Sequence, residues 1–380
     1  MINYHIMSSV NNPFLLYGYV SPDYFCDREE ETKEVITALK NGRNITLMSP
    51  RRMGKTGLIH HVFHQIRSAE KDAACFYLDI FSTRSLQDFV ALFGRCVIGK
   101  LDTPAQRATG FVSQLFKSAR LVFSTDLLTN QPQVTLDFRP EDTQNTLEEI
   151  FAYLKQSGRE CYIAIDEFQQ ILEYSDNGVE ALLRSHTQFC PNVHFIFSGS
   201  KQHLMTDIFS SAKRPFYQST EKMTLAAISE DNYYAFALKH LAAKGISMSR
   251  ETFSHIYQMF EGHTWYIQYV LNCLYASGKQ AVSIDDATDA IMHIIKQEES
   301  AFASELDKLT ENQFRLLLAI GREGVVESIN SSSFIKAHKL KGASSINKAL
   351  QYLLNKELVY KSSKGYIIYN RFLGIWLKMR

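Results

Sequence analysis

The sequence of 380 residues has no apolar run near the ~18–20 residues that a membrane-spanning helix requires, so no membrane partner is expected. Its opening, MINYHIMSSVNNPFLLYGYV, has no charged start followed by a long apolar stretch, and a secretory leader is not expected either. There is no C-x-x-C pair. Cys26, Cys75, Cys96, Cys161, Cys190 and Cys273 are scattered, several of them in apolar runs, as buried free thiols of a reducing cytoplasm would be. No internal repeat or low-complexity segment stands out. Neither sign of charge is in excess: 41 Lys and Arg face 40 Asp and Glu, a net +1, which excludes a polyanion binder or an acidic tail by bulk charge. One metal-ligand pattern is incomplete. His60, His61 and His64 form HHVFH, with His60 and His64 at i, i+4, but no Glu, Cys or further His nearby completes a set. Ordinary helix histidines are the expectation.

What is present is the composition of a folded soluble protein, 45% hydrophobic and 21% charged, long enough for two or three domains. Residues 1–25 are aromatic-rich and irregular. CDREEETKEVITALKNG (26–42) reads as a helix, with acids in its first turns where the helix dipole favours them and Gly42 at its stop. NITLM (44–48) reads as a strand and TGLIHHVFHQIRSAEKD as a helix. AACFYLDIF (73–81), CYIAIDEF (161–168), NVHFIFSGS (192–200) and EKMTLAAI (221–228) are further short apolar runs. Continuous apolar strands alternating with helices imply a parallel sheet covered on both faces. The stretch 99–145 is poorer in signal and holds QPQVTLDFRP, read as an inserted strand. From about 229 the pattern is helical, punctuated by Gly245, Gly262 and Gly278, with Ser249 and Ser283 as N-caps. The last 70 residues read as three helices (TENQFRLLLAIGREG, SSSFIKAHKL, ASSINKALQYLLNKEL) and a hairpin (VYKSSKGYIIYN), the order of a winged helix-turn-helix. The expected division is 1–228, 229–304 and 305–380.

LMSPRRMGKTGL, Leu47 to Leu58, lies between the first strand and its helix. It matches the phosphate-binding pattern G-x-x-x-x-G-K-[ST] except at its first glycine, which is Ser49. In such a loop successive backbone N–H groups point into a concavity at the positive end of a helix. Ser49, Pro50, Arg51, Arg52, Met53, Gly54, Lys55, Thr56 and Gly57 are therefore the candidate cradle for ATP or ADP. Gly54 permits close backbone approach, Lys55 neutralises the β- and γ-phosphates, and Thr56 offers its hydroxyl to Mg2+. The first glycine mainly eases a turn, and serine is a small substitute. Arg51 and Arg52 add positive charge.

YIAIDEF supplies the second half of the pattern. Asp166 is the expected Mg2+ residue, and Glu167 the residue that orients and activates an attacking water. FIFSGS places Ser198 and Ser200 at a strand end, where a polar side chain reaches the water or the γ-phosphate; Ser200 is the candidate. SAKRPFYQ brings Lys213 and Arg214 as candidate stabilisers of transition-state charge. Asp79 closes the second strand and is expected to face the γ-phosphate region.

The order FCDREEE, SPRRMGKTGL, FYLDIF, AIDEF, FSGS, KRPFYQ, GHTWYIQ and then a basic winged helix resembles the archaeal-type ATPases of the STAND group, within the AAA+-like P-loop proteins. The resemblance runs from about residue 12 to 380. It implies an α/β fold: a five-stranded P-loop NTPase sheet, a helical lid and a C-terminal winged helix-turn-helix. It implies that Phe25, Asp27 and Arg28 lie near the adenine, and that His263 or its neighbours approach the nucleotide from the other side. Thr264 stands where relatives often carry proline. Gln218 and Ser219 stand where many carry an arginine, which leaves Arg214 as the substitute for an arginine finger.

From Ser331 to Arg380 there are eight Lys and two Arg against Glu357 alone, a local +9, so the other 330 residues carry −8. With SSINKALQYLL as recognition helix and Lys361 and Lys364 in the wing, duplex DNA is one expected partner. A protein partner, self-association, or docking on the acidic remainder of the chain is the other. Three functions follow: a slowly hydrolysing ATP-driven switch, a DNA-handling ATPase akin to replication initiators or transposition helpers, and a non-hydrolysing nucleotide-bound scaffold. Lys55, Thr56, Asp166 and Glu167 together argue against the third.

Overall fold

The computed structural model describes residues 10–102, 114–125, 132–362 and 364–380. Residues 1–9 of the aromatic-rich start, parts of the signal-poor stretch 99–145, and Ser363 of the hairpin lie outside them. The chain forms two compact units. One is Leu15–Tyr233; the other is Tyr234–Arg380 with the described residues before Leu15.

In the first unit, α1 (Glu29–Lys40) leads to β1 (Ile45–Met48), α2 (Lys55–Ala69), β2 (Ala74–Asp79) and α3 (Leu86–Val97). The hairpin β3 (Arg120–Thr125) and β4 (Pro132–Asp137) follows, then α4 (Thr143–Gln156), β5 (Cys161–Asp166), α5 (Val179–Gln188), β6 (Val193–Gly199), α6 (Gln202–Ser210) and β7 (Glu221–Thr224). Five strands form one parallel sheet in the order β2-β5-β6-β1-β7. Successive side chains alternate between its faces. Ile45, Leu47, Tyr162, Ala164 and Ile196 face α1 and α2 through Val35, Leu39, Leu58 and Val62. Phe76, Leu78, Ile163, Ile165, Phe195 and Phe197 face α3 and α4 through Phe89, Phe93, Leu147 and Ile150. Both faces are covered, which is why the strands read as unbroken apolar runs.

The strand expected within QPQVTLDFRP is β4, and it belongs to an antiparallel hairpin rather than to the sheet. Its partner β3 carries no strong strand signal, because Arg120, Val122, Phe123 and Ser124 are exposed. The hairpin rests on α3 through Leu136, which a side chain at Gly94 would displace.

The second unit contains most of α7 (Glu230–Ala242), then β8 (Ser247–Met248), α8 (Arg250–Met259), α9 (Thr264–Ala276), β9 (Ala281–Val282) and α10 (Ile284–Leu306). Ser249 and Ser283 cap α8 and α10 by accepting from Thr252 N and Asp286 N. The winged helix is α11 (Glu311–Glu323), α12 (Ser332–Ala337), α13 (Ala343–Asn355) and the hairpin β10 (Val359–Ser362) and β11 (Gly365–Ile368). A bridge from Val326 to Tyr366 adds a third strand position, and α14 (Arg371–Lys378), unanticipated in the sequence, closes the chain. The expected boundary between 304 and 305 falls inside α10. Among the described residues, no helix is long and apolar enough to cross a membrane.

Candidate functional site

Strand register sets the site. Met48 pairs with Gly199 of β6 and Thr224 of β7, and Asp79 pairs with Asp166. The residues that follow β1 and β6, and the acids that end β2 and β5, therefore share the carboxyl edge of the sheet, where parallel α/β sheets hold ligands.

After β1 the chain turns through two left-handed positions, Arg52 at φ +68° and Gly54 at φ +93°. Glycine occupies the second without steric cost. Ser49 is not among the left-handed residues, so serine serves where the motif has its first glycine. Its hydroxyl is fully buried and donates to Pro50 O (3.1 Å). Pro50 and Arg51 are half-buried, Arg52 is exposed and Met53 is buried. Lys55 opens α2 with only 6% of its surface exposed, its ammonium donating to Ser49 O (2.9 Å) and Pro50 O (3.2 Å). Burial pushes its pKa below the usual lysine value, and Asp166 and Glu167 oppose that shift. At Gly57 a Cβ would sit 3.2 Å from the Phe25 ring, so that ring covers the first turn of α2.

Thr56 Oγ1 donates to Asp166 Oδ2 (3.0 Å), and Tyr77 OH donates to the same oxygen (2.6 Å). Glu167 N donates to Asp166 Oδ1 (3.0 Å). Glu167 itself is left-handed, φ +54°, an uncommon state for a non-glycine residue and one that concentrates at functional sites. Its carboxylate accepts from Ser200 Oγ (2.8 Å) and from Gln169 Nε2. Arg51 Nε reaches Ser200 Oγ (3.4 Å), and its guanidinium lies over Phe81. Ser198 is fully buried inside β6, so Ser200 is the serine at this edge. Asp79 accepts from Phe81 N (2.9 Å) and is exposed at the rim; partial desolvation first, then Asp166 and Glu167, raise its pKa.

The edge thus gathers Ser49 to Thr56, Asp79, Asp166, Glu167 and Ser200. Arg28, also expected at the nucleotide, is buried at the N-cap of α1, where it donates to Glu31 (2.6 Å) and Ala226 O (2.6 Å); Asp27 precedes it at φ +57°. Arg214 is bound elsewhere, to Asp207 (2.6 Å) and Glu180 (2.6 Å), and Lys213 is exposed. His263 belongs to the second unit, at the N-cap of α9, with Nε2 3.2 Å from Arg371. The histidines of HHVFH serve as packing surfaces: His61 stacks on Phe25, and His60 lies against Tyr77. Tyr77 and Gln169 were not legible as site residues. One is an aromatic inside an apolar strand, the other an amide two places beyond the acid pair.

The family model described as "ATPase domain predominantly from Archaea" matches residues 25–270. The chain belongs to this family. A second model, "Probable winged helix domain", matches residues 300–379. No curated protein matches the sequence. Among solved structures, the Walker-type ATPase paby2304 of Pyrococcus abyssi superposes with a TM-score of 0.67 at 16% identity, over 96% of this chain and 99% of that one. The ORC2 protein of Aeropyrum pernix, in ADPNP–ADP complexes, superposes with a TM-score of 0.60 at 15% identity, over 97% and 95%. These likenesses bear on the fold: an archaeal-type ATPase domain followed by a winged helix. That is the α/β class with a parallel P-loop NTPase sheet expected from the sequence.

Proposed function

We propose that this member of the archaeal-type ATPase family binds ATP and hydrolyses it slowly as a switch of the STAND type. The observation that carries the reading is the convergence of Lys55, Thr56, Asp166 and Glu167 on one sheet edge. Backbone N–H groups of the 49–57 loop and the N-terminus of α2 receive the phosphates, and Lys55 exchanges the carbonyls of Ser49 and Pro50 for phosphate oxygen. Thr56 is exposed and its hydroxyl lies 3.0 Å from the Asp166 carboxylate, hard oxygen donors of the kind Mg2+ takes, so these two would hold it. Bound Mg2+ neutralises charge on the β- and γ-phosphates. Glu167 orients the attacking water and accepts its proton at the carboxylate that Ser200 and Gln169 now hold. Asp27, Arg28 and, from the lid, His263 are the proposed nucleotide neighbours. Arg214 enters the reaction only by exchanging Asp207 and Glu180 for phosphate.

On this reading residues 1–228 are the ATPase domain, 229–304 the lid and 305–380 the winged helix. Nucleotide state re-orients the last two through contacts that differ between states. The test is ATP affinity and turnover of the pure protein beside Lys55→Ala and Glu167→Gln. Lys55→Ala should lose nucleotide binding; Glu167→Gln should bind and lose turnover by about 100-fold or more. Wild-type protein that neither binds nor turns over ATP would leave the fold as a scaffold.

A second reading, a DNA-handling ATPase, is favoured by one observation. Lys336, Lys339, Lys341, Lys348, Lys361 and Lys364 are exposed and make no ion pair among the described residues. Duplex DNA should then bind with steep salt dependence and stimulate turnover. A flat response to DNA would favour a protein partner or self-association for the winged helix.

A further inference from the structure

Asp166 is oriented by donors, and one of them has no place in the usual motif. Thr56 and the Glu167 amide are adjacent to the motif by sequence; the Tyr77 hydroxyl arrives from β2. The register explains how. Tyr77 pairs with Ala164, and Asp79 pairs with Asp166, so all four side chains lie on one face of the sheet. Ala164 is small, which leaves the diagonal from Tyr77 to Asp166 open to a long side chain. The Tyr77 ring is held from the other side by His60 of α2, centroids 4.8 Å apart. A tyrosine hydroxyl carries its proton at neutral pH and a carboxylate only accepts, so at 2.6 Å the hydroxyl donates to Asp166 Oδ2.

We propose that Tyr77 is a positioning residue of the magnesium site, its hydroxyl fixing the Asp166 carboxylate beside Thr56 so that the pair is set for the metal before nucleotide arrives. This rests on the ATP-site reading above. Two hydroxyls meet at one carboxylate oxygen, so the rotamer of Asp166 is fixed from two elements at once, α2 and β2. Removing one anchor leaves Asp166 charged and present but less well aimed. Outer hydrogen bonds of this kind change metal affinity by about 10- to 100-fold.

The experiment titrates Mg2+ against binding of a fluorescent ADP analogue, and measures the same binding in EDTA, for wild type, Tyr77→Phe, Asp166→Asn and the double variant. Tyr77→Phe should raise the half-saturating Mg2+ about tenfold and leave affinity in EDTA within about twofold. In the Asp166→Asn background the same change should add nothing, because the two act through one contact. An unmoved Mg2+ requirement in Tyr77→Phe, or an equal shift that persists beside Asp166→Asn, overturns the proposal. Wild type that binds no nucleotide, or binds it without regard to Mg2+, removes the underlying site reading as well; wild type that binds normally beside an unmoved Tyr77→Phe removes only the role of Tyr77. Melting without nucleotide checks the fold. If Tyr77→Phe does not melt cooperatively, Tyr77→Gln and Tyr77→Leu carry the test, since both are smaller than tyrosine and only the first can donate. A lower Mg2+ requirement for Gln than for Leu supports the proposal, and equal requirements overturn it.

Discussion

At the edge beyond β1 and β5, polar side chains surround a buried lysine whose partners are replaceable. At the start of α9 they surround a half-buried arginine whose partners are not. Lys55 donates to two neutral carbonyls of its own loop, which a phosphate oxygen can displace. Arg371 is held by the Glu261 carboxylate (2.6 Å), the Tyr360 hydroxyl (3.0 Å) and His263 Nε2 (3.2 Å), all within the second unit. Beside it Phe372 is seated edge-on among Phe260, Trp265, Tyr266 and Tyr269. The first cluster has the character of a site and the second that of a joint. The joint ties the end of the ATPase-family match, residue 270, to the winged-helix match that begins at 300. An aromatic segment such as GHTWYIQ is compatible with both uses, and here packing occupies most of it.

The largest effect that would break this contrast is at Phe372. The ring is 2% exposed, and Phe372→Ala should cost about 3–5 kcal/mol through lost burial and the cavity left behind. Denaturant unfolding followed by Trp fluorescence reports it, because Trp265 lies against that ring. A loss under about 1 kcal/mol, below the usual range for a buried aromatic, would mean that the winged helix is not fastened there.

A smaller effect comes from His263, which burial first, and Arg371 second, push down to about 4. The groups facing it are Arg371, with Glu261, Tyr360 and Tyr266 close by. Unfolded, the imidazole takes a proton near 6.5; folded, it stays neutral until about 4. Between those values the unfolded chain binds more protons, so stability falls as pH drops through that window, by about 3 kcal/mol at most. Protonation would put a proton on Nε2, the nitrogen that accepts from Arg371, and so replace that hydrogen bond with a second cation set against the guanidinium. His263→Gln should flatten the melting temperature between pH 6.5 and 4.5. If the slope is unchanged in that variant, the joint does not owe its acid sensitivity to His263.

How far the sequence reached follows the same division. The five sheet strands were legible because both faces of each are covered, and unbroken apolar runs report that directly. The loop and acid pair were legible because phosphate and metal chemistry require particular residue types at fixed spacing. Tyr77 was hidden because its role depends on register: nothing in FYLDIF says that Ala164 stands opposite and leaves a way to Asp166. Arg214 reads as an available cation only until the fold brings Glu180 to it from 34 residues away. The hairpin partner β3 and the closing helix α14 were missed for a related reason. β3 is largely exposed, and α14 owes its place to partners distant in sequence, Trp376 packing on Phe302 and Phe372 on α9.

The smallest effect concerns the residue that makes the loop look incomplete. Glycine is needed in such a loop where φ is positive, and here that falls at Gly54, with Arg52 tolerating the other left-handed position. Ser49 needs no such freedom, and its buried hydroxyl donates to Pro50 O and lies 3.4 Å from the Lys55 ammonium. Ser49→Gly, which restores the motif, should therefore bring no gain in nucleotide affinity. It should lower stability by about 0.5–1 kcal/mol, because glycine loses more backbone freedom on folding. A tenfold gain in ATP affinity with unchanged stability would mean that the serine impairs the loop, and that the contrast between a replaceable set of partners at Lys55 and a fixed one at Arg371 is drawn too sharply.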